Sequence, residues 1–181
     1  MSLEQPIFHF ALDENLQDLC DKYNRLHSTG EPLNPEMFLP VKSNSDDTGW
    51  DVRCAEPNGA LINPGQYKLI NLGFNVFCPD GWWLKLVPRS STFAKKHCQA
   101  LYGTIDQSYP DNLKFAVQYI PDSGTLIKGG LSFSFGERIA QIIPVRREEM
   151  KIKSVSKDEL RSMHLYRNSS RMGGFGSTGK S

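Results

Sequence analysis

Asp106 and Tyr109 stand three residues apart in the run Gly103-Thr104-Ile105-Asp106-Gln107-Ser108-Tyr109. A loop or hairpin tip with that spacing aims a carboxylate and an aromatic ring into one pocket, although a lone Asp in a turn also serves its own backbone. Pro88-Arg89-Ser90-Ser91 follows an expected strand, Trp82 to Val87. A guanidinium beside paired hydroxyls suits phosphate oxygens, and a solvated strand end is the plainer alternative. Gly136-Glu137-Arg138-Ile139-Ala140-Gln141 sets Arg138 and Gln141 beside an expected core strand ending at Val145, or forms an ordinary surface turn. Thr48-Gly49-Trp50-Asp51-Val52 adds a second carboxylate, Asp51. Residues Gly174 to Ser181 spell G-x-x-x-x-G-K-S, a P-loop pattern without the following helix whose N-terminus completes a phosphate cradle. What that segment offers is backbone N–H groups and hydroxyls around Phe175, suited to closing over a nucleoside polyphosphate as a C-terminal flap.

The elements that must position these residues are legible in outline. Leu16, Leu19, Cys20, Tyr23 and Leu26 recur at helical spacing, which predicts an amphipathic helix over 14–27 with Asp13 as its N-cap. Gly30, Pro32, Pro35, Pro40 and the polar run Ser43-Asn44-Ser45-Asp46-Asp47 then separate this leader from the body. From Trp50 to about Arg146 short apolar runs alternate with Asn63-Pro64-Gly65, Pro79-Asp80-Gly81, Pro121-Asp122-Ser123-Gly124 and Gly129-Gly130. That punctuation predicts an all-β sandwich or barrel. Ser132-Phe133-Ser134-Phe135 alternates as a half-buried strand would, and Ser156-Lys157-Asp158-Glu159 reads as a capping box opening a short helix. The expected organisation is an extension over 1–40 with the helix, a β domain over 41–165, and a flexible Gly-rich flap over 166–181.

Composition narrows the classes. At 181 residues, with 39% hydrophobic and 23% charged, the chain fits one globular domain. The net charge of +1 sets up no global field for nucleic acid or an anionic membrane, so a small charged ligand handled locally fits better. Cys20, Cys54, Cys78 and Cys98 lie far apart without metal-ligand spacing, which points to reduced thiols in a cytoplasm. No basic-then-apolar leader and no span-length apolar run is present.

In this order, the five segments resemble the trimeric dUTP nucleotidohydrolases, the dUTPases, over about residues 41–181. The resemblance implies a dUTPase-like β-sandwich or jelly-roll barrel with an N-terminal helical extension, assembled as a homotrimer. It implies hydrolysis of dUTP to dUMP and pyrophosphate by in-line attack of water on the α-phosphorus. Asp106 matches the carboxylate that activates the water, with Ser90 and Asp51 in the catalytic set. Arg89, Ser90, Ser91, Arg138, Gln141, Ser177 and Thr178 fall on phosphate-contacting segments. Tyr109 matches the ring under the deoxyribose, main-chain groups of the hairpin near Gly103 and Ile105 read uracil, and Phe175, next to Gly176, stacks over the base. Mg2+ in that family is held mainly by substrate phosphates and water, so no protein metal-ligand set is expected. Each site would take its phosphate segments from one chain, Asp106 and Tyr109 from a second and the flap from a third.

The chain departs from the family pattern in places. The cation that usually stands five residues before the flap Phe is Ser170 here, leaving Arg171 or Arg167 for the role, and Ser91 and Trp50 replace a common Gly and Tyr. The dCTP deaminases share the fold, but their catalytic Glu corresponds to Ala116, whose neighbours Lys114, Phe115 and Val117 supply no acid. A third reading is a binding or regulatory protein on the same scaffold that docks through the leader helix. The alternative for that helix is packing on the protein's own body.

Overall fold

A computed structural model describes residues 5–27, 30–121 and 130–166. It divides into two compact units, 1–147 and 148–181. Along the first unit run β1 (His9–Leu12), α1 (Leu16–Leu26), a 3-10 turn (Pro35–Phe38), β2 (Trp50–Arg53), β3 (Ala60–Ile62), β4 (Tyr67–Asn71) and β5 (Phe74–Phe77). They are followed by β6 (Trp82–Pro88), α2 (Ser90–Ala94), β7 (Cys98–Ala100), β8 (Gly103–Ile105), β9 (Lys114–Tyr119), β10 (Leu131–Phe133) and β11 (Arg138–Arg146).

Among the described residues every strand pairing is antiparallel, in a four-stranded sheet β2-β11-β6-β8, a three-stranded sheet β4-β9-β7, and the pairs β1-β5 and β3-β10. The cause is visible in the sequence: in Lys114–Tyr119 the residues Phe115, Val117 and Tyr119 are buried while Lys114 and Gln118 face water. Equivalent rows from the other strands, among them Val52, Ile62, Phe74, Leu84 and Ile142, fill one apolar core. Gly81 sits at φ +76 in the turn into β6, a conformation that L side chains rarely adopt. The fold is all-β, as the recurrent turns predict.

Three local expectations are corrected. The helix spans Leu16–Leu26, and Asn15, not Asp13, stands at its N-cap, without a side-chain capping bond. Its stripe is buried at Leu16 and Cys20, but burial falls off along the helix and Leu26 is 70% exposed. The strand expected over 132–135 ends at Phe133, because the chain turns at Phe135-Gly136, where Gly136 has φ +79.

The leader packs on the body. β1 pairs with β5 through His9↔Phe77 to Leu12↔Phe74, and the Phe10 ring meets Phe74 edge-on at 5.5 Å. Leu16 and Cys20 join Phe38, Ala55 and Phe135 in a second, smaller cluster. The four thiols are free and buried. Burial pushes Cys20, Cys54 and Cys98 up to about 11, and Cys78 upward as well, so all four stay protonated at neutral pH.

In the second unit α3 spans Lys157–Tyr166; the Glu159 N–H donates to Ser156 Oγ at 3.1 Å, and the Glu159 carboxylate meets Lys153 Nζ at 3.6 Å. Among the described residues no helix is long and apolar enough to cross a membrane.

Candidate active site

The centre of the four-stranded sheet gathers three of the expected segments. On β11, Gln141 lies opposite Asp51 of β2 on one side and Val87 of β6 on the other. Arg138 and Gln141 are three residues apart, so an unbroken strand would turn them to opposite faces. The β2–β11 register shifts between Arg138 and Ala140, and Ile139 and Ala140 are both buried in succession. This bulge leaves Arg138 and Gln141 both partly exposed, with the buried pair between them.

Asp51 organises the cations there. Its Oδ1 lies 3.0 Å from Arg89 Nε and its Oδ2 3.4 Å from Arg138 Nη1, with the carboxylate largely buried. Arg138 Nη1 also donates to Ser43 Oγ at 2.9 Å, and Arg89 Nη1 to the Arg138 carbonyl at 3.3 Å. Gln141 Nε2 donates to the Pro88 carbonyl at 3.3 Å. A Cβ at position 49 would overlap the Gln141 side chain, so the glycine in Thr48-Gly49-Trp50 is what lets that amide lie there.

Where a solvated strand end was the alternative for Ser90 and Ser91, the chain instead forms α2. Arg89 occupies its N-cap, Ser90 is exposed and Ser91 half-buried. Thr92, only 2% exposed, fastens the helix by donating from Oγ1 to the Ile139 carbonyl at 2.7 Å, on the bulge itself. Arg89, Ser91, Lys95, Lys96, Glu137 and Arg138 line a cleft of about 450 Å³ over this junction. Lys96 Nζ pairs with Glu137 at 2.5 Å. Opposite Arg138 on β2, Arg53 donates to the carbonyls of Met37 at 2.8 Å and Gly136 at 2.6 Å. Burial, with Arg138 nearby, holds the Arg53 guanidinium below its ordinary range. Gly49, Arg53, Thr92, Lys95 and Lys96 were not singled out from sequence; the Ser90-Ser91-Thr92 hydroxyl run was the one available signal for Thr92.

The other expected segment lies elsewhere. β8 pairs with β6 through Gly103↔Leu86 and Ile105↔Leu84. The Ile105 side chain is buried, so this residue offers a ligand its main chain, and a Cβ at Gly103 would come within 3.3 Å of Leu86 Cβ. The Tyr109 N–H donates to the Asp106 carbonyl at 3.1 Å, closing a turn on which Asp106 is exposed and Tyr109 36% exposed. Gln107 Nε2 ties the turn to Asp80 at 2.6 Å. Because Ile105 pairs with Leu84 while Ala140 pairs with Pro88, the turn and Arg89 leave β6 at opposite ends. That separation is about 16 Å along β6 at the usual strand rise. Arg171, Phe175, Gly176, Ser177 and Thr178, with the alternative Arg167, lie outside the described residues.

A family model described as dUTPase matches residues 36–179. The chain belongs to the dUTPase family. With that family it is a nucleotide hydrolase. It is similar to the deoxyuridine 5'-triphosphate nucleotidohydrolase of Hydrogenobaculum sp., 32% identical over 151 residues that cover 81% of this chain and 94% of the relative. The enzyme of the same name from Clostridium kluyveri is 32% identical over 150 residues, covering 81% and 94%. Among solved structures, a mutant dUTPase from phage phi11 of S. aureus, described with a structural Mg(II) ion, superposes with a TM-score of 0.61 at 19% identity. The match covers 83% of this chain and 97% of that one, and it shows the shared dUTPase fold.

Proposed function

We propose that this protein hydrolyses dUTP to dUMP and pyrophosphate, through an in-line attack on the α-phosphorus by a water that Asp106 deprotonates. The observation that carries the reading is the division of labour along β6: a guanidinium- and lysine-lined cleft at one end, an exposed carboxylate and ring at the other. A base works on a water within about 3 Å of itself, so these halves cannot serve one phosphorus within a single chain. This supports a homotrimer in which the cleft of one subunit meets the Asp106–Tyr109 turn of a second and the flap of a third.

In such a site Arg89, Arg138, Gln141 and Ser90 bind phosphate oxygens and stabilise the charge that gathers on the leaving pyrophosphate. Asp51 keeps the two guanidiniums in place and neutralises part of their mutual repulsion. Tyr109 stacks under the deoxyribose and leaves no room for a 2'-hydroxyl, while the main chain from Gly103 to Ile105 pairs with uracil. Phe175 covers the base, Gly176, Ser177 and Thr178 close over the phosphates, and Arg171 is the flap cation.

The donor set suits a Mg2+ that arrives on the triphosphate. The cleft presents guanidinium, ammonium and hydroxyl groups, and its carboxylates, Glu137 in the lining and Asp51 beside it, are engaged in ion pairs. When bound with the triphosphate beside Arg89 and Arg138, Mg2+ would supply positive charge that offsets the charge gathering on the leaving pyrophosphate. The four protonated, buried thiols fit a cytoplasmic, reducing location.

The test is a product assay with dUTP and dCTP in parallel, with Mg2+. Pyrophosphate from dUTP and no ammonia from dCTP is the expected result. Ammonia from dCTP, or no turnover of dUTP by the assembled protein, overturns the reading.

A further inference from the structure

Asp13 stands where β1 hands over to α1, half-buried and held through both its backbone and its side chain. Its N–H donates to the Gly73 carbonyl at 3.0 Å and its carbonyl accepts from the Leu16 N–H at 3.0 Å. Both carboxylate oxygens are occupied as well. Oδ1 accepts from Asn112 Nδ2 at 2.6 Å, and Oδ2 from Asn71 Nδ2 at 3.0 Å. Asn71 is itself fixed, its Oδ1 accepting from the Gly73 N–H at 3.2 Å and its own N–H donating to Glu56 Oε1 at 2.8 Å.

Asn112 closes the loop that begins at Asp106. The next residue, Leu113, is held in the core by backbone bonds to Phe74 and Leu72, each 3.0 Å. Within the loop, the Pro110 carbonyl accepts from Asn75 Nδ2 at 3.1 Å, and Asn75 pairs with Ala11 of β1. Tyr109 therefore sits between two ties, Gln107 to Asp80 on one side and Pro110 and Asn112 to the Asp13 region on the other. Asp13 precedes residues 36–179, those that match the family.

We propose that Asp13 is a positioning residue for substrate selection, clamping through Asn112 the loop that carries Asp106 and Tyr109. The inference rests on the function proposed above. The two amide groups meet different oxygens of Asp13, a pattern that needs an acceptor at both positions, as a carboxylate supplies. Asp13→Asn leaves one of Asn71 and Asn112 facing another N–H2 donor, and Asn112→Asp sets two carboxylates together. The double exchange restores the pattern, with Asn at 13 donating to Asp at 112 and accepting from Asn71.

The experiment compares wild type, Asp13→Asn, Asn112→Asp and the double variant in two readouts. These are kcat/KM for dUTP against UTP, and amide hydrogen exchange over residues 106–113. Each single variant is expected to lose about tenfold to a hundredfold in discrimination, the effect of a misplacement remote from the chemistry. Exchange over 106–113 is expected to accelerate, and the double variant to recover both properties. Wild-type discrimination and exchange in folded single variants would overturn the proposal, as would a folded double variant without recovery. If the single variants do not fold, the double variant decides alone: wild-type discrimination supports the clamp, and lost discrimination refutes it. If wild type fails to turn over dUTP, the functional reading falls, and exchange over 106–113 still decides whether the clamp exists.

Discussion

Two carboxylates that read alike in the sequence are set to opposite work by their surroundings. Asp51 is largely buried and holds two guanidiniums, whereas Asp106 is exposed on a turn. Asp51→Asn removes the charge from two charge-assisted contacts, each worth about 1.5–3 kcal/mol when well buried. Part of this is lost to solvent, since Arg89 and Arg138 keep side-chain exposures of 33% and 37%. The expected outcome is a Tm lower by several degrees and a KM for dUTP raised about tenfold, checked by calorimetry and steady-state kinetics. Asp106→Asn is expected to leave Tm within about a degree of wild type, as surface substitutions do. It should lower kcat by about 10²- to 10⁴-fold, with binding of a non-hydrolysable dUTP analogue retained. An Asp106→Asn enzyme with wild-type kcat would remove the assigned base.

At the scale of elements, the cleft depends on a bulge and on a helix of five residues bonded to it. Thr92 joins them through one buried hydrogen bond to Ile139, so Thr92→Val leaves the bulge carbonyl without its partner at nearly unchanged volume. Its expected cost is about 1–3 kcal/mol in urea unfolding, with a raised KM because Ser90 and Ser91 shift with α2. Unchanged stability would show that other contacts fix the helix. These devices mark where sequence reading stops. The strands were legible because alternation and turn glycines are local, as in Lys114–Tyr119 and the turn at Gly81. The helix at Ser90–Ala94 was not, since five residues are too few to display a 3.6-residue period. That Arg138 and Gln141 are both partly exposed follows from an irregularity in pairing with β2, which the order of residues in β11 does not encode. Asp13 has the local look of a helix cap, and its partners at 71 and 112 are distant in sequence.

For the whole molecule, the separation along β6 makes a sharper claim than any single substitution. If each site combines the cleft of one subunit with the Asp106 turn of another, two variants that are each inactive should rescue one another. One would lack the base, Asp106→Asn, and the other the cleft cation, Arg138→Ala. In mixed trimers formed by co-expression at equal levels, an intact cleft from the first variant meets an intact base from the second at about a quarter of the sites, by random assortment around a closed ring. Turnover at about a quarter of the wild-type rate per site is therefore expected from the mixture, measured as pyrophosphate release and compared with each variant expressed alone. A site built within one chain would give a mixture as inactive as its components, because every chain would carry one of the two lesions. Rescue also requires physical assembly. Joining the two lesions in one chain and co-expressing that chain with wild type should lower activity only in proportion to the intact combinations that remain.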